Sequence, residues 1–87
     1  MKSNDTLRLS VLRYLLAQIK NKEIDLRTSK EELGDAHVAK ILKKELKKRR
    51  EVIELAEKAR REDVVERETS ELNVLKEFCE LLPDYEF

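Results

Sequence analysis

The sequence predicts an all-α fold, a small antiparallel bundle of three main helices. Three observations predict it. The 87 residues include one Gly and one Pro, so few positions can interrupt regular structure. Charged residues make up 44% of the chain, with Leu, Ile, Ala, Lys and Glu prominent, a composition typical of long helices. Apolar residues recur at intervals of three and four, the helical period.

The first helix is predicted to start behind Ser3, Asn4 or Asp5, whose side chains can accept from the free N–H groups of a first turn. Leu7, Val11, Leu12, Leu15, Leu16 and Ile19 fall on one face, with Leu26 near the end, and the pattern fades at Arg27-Thr28. Thr28 to Gly34 reads as the loop. Ser29 and Glu32 have capping-box spacing, so one extra short helical turn near residues 29–33 is allowed. Gly34 can take positive φ cheaply, and Asp35 can cap the next helix. That second helix reads from about Ala36 to Ala59, with Val38, Ile41, Leu42, Leu46, Val52, Ile53 and Ala56 as its stripe. A turn must fall near Ala59-Arg60-Arg61, because one straight helix would leave a long apolar stripe bare. The third helix reads from about Glu62 to Leu82, with Val64, Leu72, Leu75, Phe78, Cys79 and Leu82 inward, and Pro83 ends it.

Length and composition exclude several functions. Eighty-seven residues allow one domain, residues 1–87, of modest stability. One Gly excludes phosphate-cradling loops, and one His and one Cys exclude a Cys/His metal site. No cofactor or metal is expected. No apolar run approaches a membrane span, and the start has no apolar core of a signal peptide. A lone Cys suits a reducing compartment, so a cytoplasmic location is expected.

Five charges lie in or beside the apolar stripes: Arg8, Glu45, Arg49, Glu68 and Glu71. A lone buried charge is costly, so these should form structural ion pairs. Glu45 is expected to pair with Arg49, and Arg8 or Arg49 to meet Glu68 or Glu71. The alternatives are a charged groove that takes a ligand and simple exposure at the bundle edge.

The net charge is zero, but residues 40–50 carry seven basic residues against Glu45, while residues 62–80 carry seven acids against Arg67 and Lys76. Either one helix neutralises the other or a basic face meets an anionic partner. Lys40, Lys43, Lys44 and Lys47 share one face, with Lys48 and Arg50 flanking and Arg61 beyond. These seven are the candidate RNA-binding residues, since each cation can neutralise a phosphate and release counterions. A merely solvated lysine face is the bland alternative. No aromatic residues interleave with the cations, which leaves backbone and shape recognition of folded RNA or duplex. His37 reads as a surface His and Cys79 as a buried thiol, and Tyr14, Tyr85 and Phe87 are too scattered to form a site. No catalytic residues are assigned.

Several strings resemble the GatB/YqeY family: Leu9-Ser10-Val11-Leu12-Arg13, Ile19-Lys20-Asn21-Lys22-Glu23-Ile24, Lys47-Lys48-Arg49-Arg50-Glu51 and Glu68-Thr69-Ser70-Glu71-Leu72. Glu57-Lys58-Ala59-Arg60-Arg61-Glu62-Asp63 resembles it too, and its part around Ala59 to Asp63 is the most distinctive. The similarity covers roughly residues 1–78. It implies a relation to the helical tail domain of the amidotransferase B subunit that acts on Glu-tRNA(Gln) or Asp-tRNA(Asn), or to stand-alone YqeY-like proteins. The family's carbon–nitrogen ligase label describes the complex such a tail serves, and nothing in these residues performs that chemistry. Arg13, Asn21, Glu23, Lys48, Arg49, Lys58 and Arg61 match characteristic family positions. Of these, Arg13, Asn21, Glu23, Arg49 and Lys58 have no role assigned by the resemblance alone.

The chain departs from the family where Arg60 replaces a usual Gly, which implies a different turn or a longer second helix. Ala56 replaces a usual aromatic residue, and Cys79-Glu80-Leu81 are extra. The family's second helical domain is absent from these 87 residues. Two functions remain as expectations: a non-catalytic, tRNA-binding accessory module, or a helical protein-interaction or homo-oligomerising module with a solvated basic face. An independent enzyme is disfavoured, because no nucleophile, base and pocket come together.

Overall fold

A computed structural model describes the backbone from Lys2 to Phe87 and the side chains from Asp5 onward. Three α-helices succeed one another, α1 (Lys2–Thr28), α2 (Asp35–Lys58) and α3 (Glu62–Cys79). Short connections of six and three residues turn each helix back on the one before it. α2 and α3 form the closest pair, and α1 packs less extensively against both.

The core is one seam. Val11 and Leu15 of α1, Leu42 and Leu46 of α2, and Leu72, Val74, Leu75 and Cys79 of α3 form a single buried cluster. Leu46 and Leu75 lie deepest, each 1% exposed. Leu7, Val38, Ile41, Ile53, Phe78, Leu82 and Phe87 cover its flanks. The molecule is elongated, 46 × 29 × 24 Å. Its radius of gyration of 14.5 Å exceeds the roughly 12 Å of a compact domain of this length. A narrow seam cannot cover every apolar residue, and Leu9, Leu12, Leu16, Ile24, Leu55 and Leu81 stay exposed.

Helix ends differ from expectation in instructive ways. α1 is already under way at Lys2, so Asp5 lies inside the helix rather than before it. The side chains of Ser3 and Asn4, the other candidate caps, lie outside the described residues. The extra helical turn near residues 29–33 does not form, because Ser29 and Lys30 are used to close α1. Glu31 N–H donates to Leu26 O at 2.9 Å and Lys30 N–H to Arg27 O at 3.1 Å, with Lys30 at φ 58°. That is a Schellman closure with lysine in the left-handed position.

The same motif ends α2. Arg61 N–H donates to Ala56 O at 2.9 Å, Arg60 N–H to Glu57 O at 3.1 Å, and Arg60 sits at φ 57°. Arg60 therefore takes the left-handed position itself, and α2 does not run on. A non-glycine residue there costs on the order of 1 kcal/mol. Gly34 is extended, at φ −126° and ψ 175°, so it needs no glycine freedom. Gly34, not Asp35, is the N-cap, and its N–H donates to His37 Nδ1 at 3.0 Å. His37 thus fills the reach-back half of a capping box, a role that a plain surface histidine would not have.

α3 stops at Cys79, three residues before the expected Leu82. Glu80, Leu81 and Leu82 donate to carbonyls three residues back, at 3.2, 3.1 and 3.0 Å. The chain tightens because the residue before a proline is steered out of the α region.

Candidate nucleic-acid interface

The basic face is built by helical spacing alone. Lys40, Lys43, Lys44 and Lys47 are exposed on the side of α2 away from the seam. No ion pair among the described residues holds any of these four or Arg50. Glu68, Glu71 and Glu77 of α3 do not neutralise them, since Glu77 pairs with Arg8 while Glu68 and Glu71 pair with Arg49. Two of the seven candidate cations are engaged. Lys48 Nζ donates to the Tyr14 hydroxyl at 3.3 Å and lies 5.9 Å from the ring centre. Arg61 Nε lies 3.7 Å from Asp63.

Arg49 points the other way. Its guanidinium meets Glu45 at 4.0 Å, Glu68 at 3.7 Å and Glu71 at 3.8 Å, and lies 5.6 Å from the centre of the Tyr14 ring. The expected pairs of Arg49 with Glu45, Glu68 and Glu71 are therefore present. Three carboxylates surround one cation, and Glu45 Oε1, Arg49 Nε and Glu68 Oε2 are buried with no hydrogen-bond partner. Burial raises the Glu71 carboxyl above its usual range, and a hydrogen bond with Glu68 and that neighbour's charge push the same way.

Arg8 does not join this cluster. It makes a forked pair with Glu77, Nε to Oε2 at 2.9 Å and NH2 to Oε1 at 3.0 Å, on the exposed side of α1. α1 lies with its Arg8 end beside the last turns of α3, whereas Glu68 and Glu71 face α2. The hydrogen bond to Glu77, then its charge, raises the Arg8 guanidinium, and the Arg8 hydrogen bond lowers Glu77.

The family-like positions scatter. Arg13 is exposed, Glu23 bonds Arg27 at 3.1 Å and meets Lys20 at 3.5 Å, and Lys58 meets Glu54 at 3.5 Å. Asn21 gains a setting that the residues alone did not provide. It lines a polar cleft of about 220 Å³ between α1 and α2, with Gln18, Lys22, Asp25, Ile41, Lys44 and Glu45. Tyr14 is not isolated: it meets two cations of α2, which no short-range pattern could reveal because the partners are 34 and 35 positions away.

A second concavity is apolar. Leu12, Leu16 and Ile19 of α1, Ile41 of α2, Phe78 of α3 and Leu82 line a groove of about 240 Å³. Cys79 is buried, and burial pushes its thiol up, away from the reactive thiolate. Among the described residues no group of three or more His, Cys, Asp or Glu could hold a metal ion. Among the described residues no helix is long and apolar enough to cross a membrane.

Comparison with known proteins adds a lineage. The family described as Yqey-like protein matches residues 1–84. The chain is 37% identical over 83 residues to a Lachancea thermotolerans protein named "Altered inheritance of mitochondria protein 41, mitochondrial", covering 95% of this chain and 43% of the relative. It is 34% identical to the Kluyveromyces lactis protein of the same name, over 95% of this chain and 44% of that one. It is 36% identical to a Schizosaccharomyces pombe protein named only as uncharacterised, over 98% and 64%. The chain thus spans less than half the length of the two mitochondrial relatives. No solved structure matches it.

These relatives correct the cytoplasmic expectation, because two of them are named as mitochondrial. A single buried thiol has no partner to oxidise with, so it marks no compartment. No relative's name describes an enzyme. The match over 84 of 87 residues agrees with the resemblance carried by the α1 strings and the Ala59-to-Asp63 turn, and the chain belongs to the Yqey-like protein family.

Proposed function

We propose that the chain is a non-catalytic docking module for tRNA or another folded RNA, read through its phosphate backbone. The observation that carries this reading is the row Lys40, Lys43, Lys44 and Lys47, exposed and free of ion pairs while Glu68, Glu71 and Glu77 of α3 are engaged elsewhere. Unpaired ammonium groups at helical spacing can replace the counterions condensed on a phosphate backbone, and the release of those ions drives binding. The absence of stacking aromatics on this face favours recognition of shape over single strands. The mitochondrial names of two relatives favour an organellar setting for the RNA.

The test is charge reversal. The variant with Lys40, Lys43 and Lys47 changed to Glu should lose tRNA binding by at least about a hundredfold at low salt, with helicity unchanged. Binding unaltered by the triple reversal would refute the reading.

The apolar groove supports a second reading, a protein-docking or self-associating module. Large exposed apolar residues gathered in one concavity are a common mark of an interaction surface. Light scattering that shows a dimer at high protein concentration, reduced by Leu16→Glu, would favour it. A clean monomer would count against self-association.

A further inference from the structure

We propose that the apolar groove that α1 makes with the start of α2 and the end of α3 is a homodimer interface. A second copy of this chain lays its own groove there, about a dyad that runs along the groove. The proposal rests on the protein-docking reading and adds the occupant and its orientation.

α1 carries two apolar faces, and only one of them is used. Val11 and Leu15 are buried in the seam. Leu12 and Leu16 each follow one of them by a single position, so they stand about 100° further round the helix. With Leu9 and Ile19 they form a second stripe, spaced three, four and three apart, the spacing of a coiled-coil seam. Leu16 is 53% exposed and Leu81, across the groove, 76%. Every side chain that lines the groove is apolar, so closing it leaves no side-chain donor or acceptor unpaired.

The two banks of the groove end in opposite charge, which selects the occupant. Arg13 and Lys20 follow Leu12 and Ile19 by one residue and lie seven apart, so they share the outer edge of the α1 stripe, both exposed. On the other bank, the chain after Leu82 turns over the end of the seam. Tyr85 N–H donates to Leu82 O at 3.2 Å and Phe87 packs against the core, while Asp84 and Glu86 are exposed. Arg13, Asp84 and Glu86 have no ion pair among the described residues, and Lys20 meets Glu23 at 3.5 Å. A dyad along the groove carries each basic rim onto the acidic rim of the other copy, so the surface is complementary to itself. A foreign helix with one sign of charge would satisfy one rim and be repelled by the other. The net charge of zero removes long-range repulsion between copies. Lys40 and Lys43 stand two residues past the groove-lining Val38 and Ile41 and so point away from it. The dimer therefore leaves the lysine row of each copy open.

The test is sedimentation equilibrium of the full chain up to millimolar concentration at low salt, with circular dichroism to confirm that each variant keeps its helices. The wild type should form a dimer and nothing larger, because a two-fold interface closes on itself. Leu16→Glu should weaken the dimer by about a hundredfold, since it sets an unpaired charge in an apolar contact. Arg13→Glu with Lys20→Glu makes both rims acidic, and Asp84→Lys with Glu86→Lys makes both basic. Each of these double variants should dimerise about tenfold more weakly. All five positions are exposed, so the fold does not depend on them. An equal mixture of the two double variants should regain the wild-type affinity within about threefold, because every rim then meets its opposite. A wild-type chain that stays monomeric overturns the second copy as occupant. A dimer that Leu16→Glu breaks, but that the rim variants and their mixture leave unchanged, overturns the dyad along the groove and keeps the groove as a docking surface. A dimer indifferent to Leu16→Glu overturns both, because the contact then lies elsewhere.

Discussion

Arg49 Nε lies 3.7 Å from Glu68 Oε2, and both atoms are buried without a hydrogen-bond partner. The pair is an electrostatic clamp between α2 and α3, with Glu45 and Glu71 completing three acids around one guanidinium. Removing the cation leaves buried carboxylates unpaired. Arg49→Met should therefore cost about 3 kcal/mol or more, a large share of the stability of so small a domain. Urea denaturation checks it. A loss under about 1 kcal/mol would mean the cluster is hydrated and easily rearranged.

Glu71 gives the clamp a pH dependence. Its carboxyl titrates above its unfolded value because of burial, then the hydrogen bond and charge of Glu68. The folded state thus holds a proton that the unfolded state has released. The resulting stability is full below the unfolded value, about pH 4.3, and is lost as pH rises through the raised folded value. Glu71→Gln should abolish that decline, making the variant relatively more stable at neutral pH than at acidic pH. Glu77 acts with the opposite sign. Its depressed folded value contributes stability above the unfolded value, lost as pH falls through the folded one. Melting curves across this range separate the two variants Glu71→Gln and Glu77→Gln.

Both left-handed helix ends can be relaxed. Arg60→Gly and Lys30→Gly place glycine at φ 57° and 58°, where side chains are strained. Each should stabilise by on the order of 1 kcal/mol, and the two should add, since the turns share no contacts. A destabilised Arg60→Gly variant would show that the arginine side chain contributes more than its backbone costs.

The seam and the groove should respond differently to truncation. Leu46 is 1% exposed, so Leu46→Ala should cost about 3 kcal/mol. Leu16 is 53% exposed, and Leu16→Ala should cost under about 0.5 kcal/mol in the monomer. Equal losses would mean that the groove is filled in solution. Cys79 reports the same seam: its buried thiol should resist alkylation until urea opens the bundle.

The three helices are legible in the sequence because Leu42, Leu46, Leu72 and Leu75 keep helical period and neither α2 nor α3 has an internal breaker. The Arg49 cluster is legible for the same reason, since charges inside an apolar stripe must find one another. The pairing of Arg8 with Glu77 is not, because periodicity fixes a face but not the rotation of α1 against α3. The meeting of Tyr14 with Lys48 and the Asn21 cleft are hidden likewise, each being made by two helices at once. Helix ends mislead where a residue other than the favoured type takes the position, as Lys30 and Arg60 do in left-handed backbone.

The most direct test of the RNA-docking role is a titration of the purified chain against total tRNA at two salt concentrations, with a poly-anion as control. A docking module predicts saturable binding tighter than to the control, falling steeply with salt. A row of four free lysines should give a slope of log affinity against log salt near about −3 to −4. Binding no tighter than to the poly-anion would contradict it, and the basic face of α2 would then be a solvated surface.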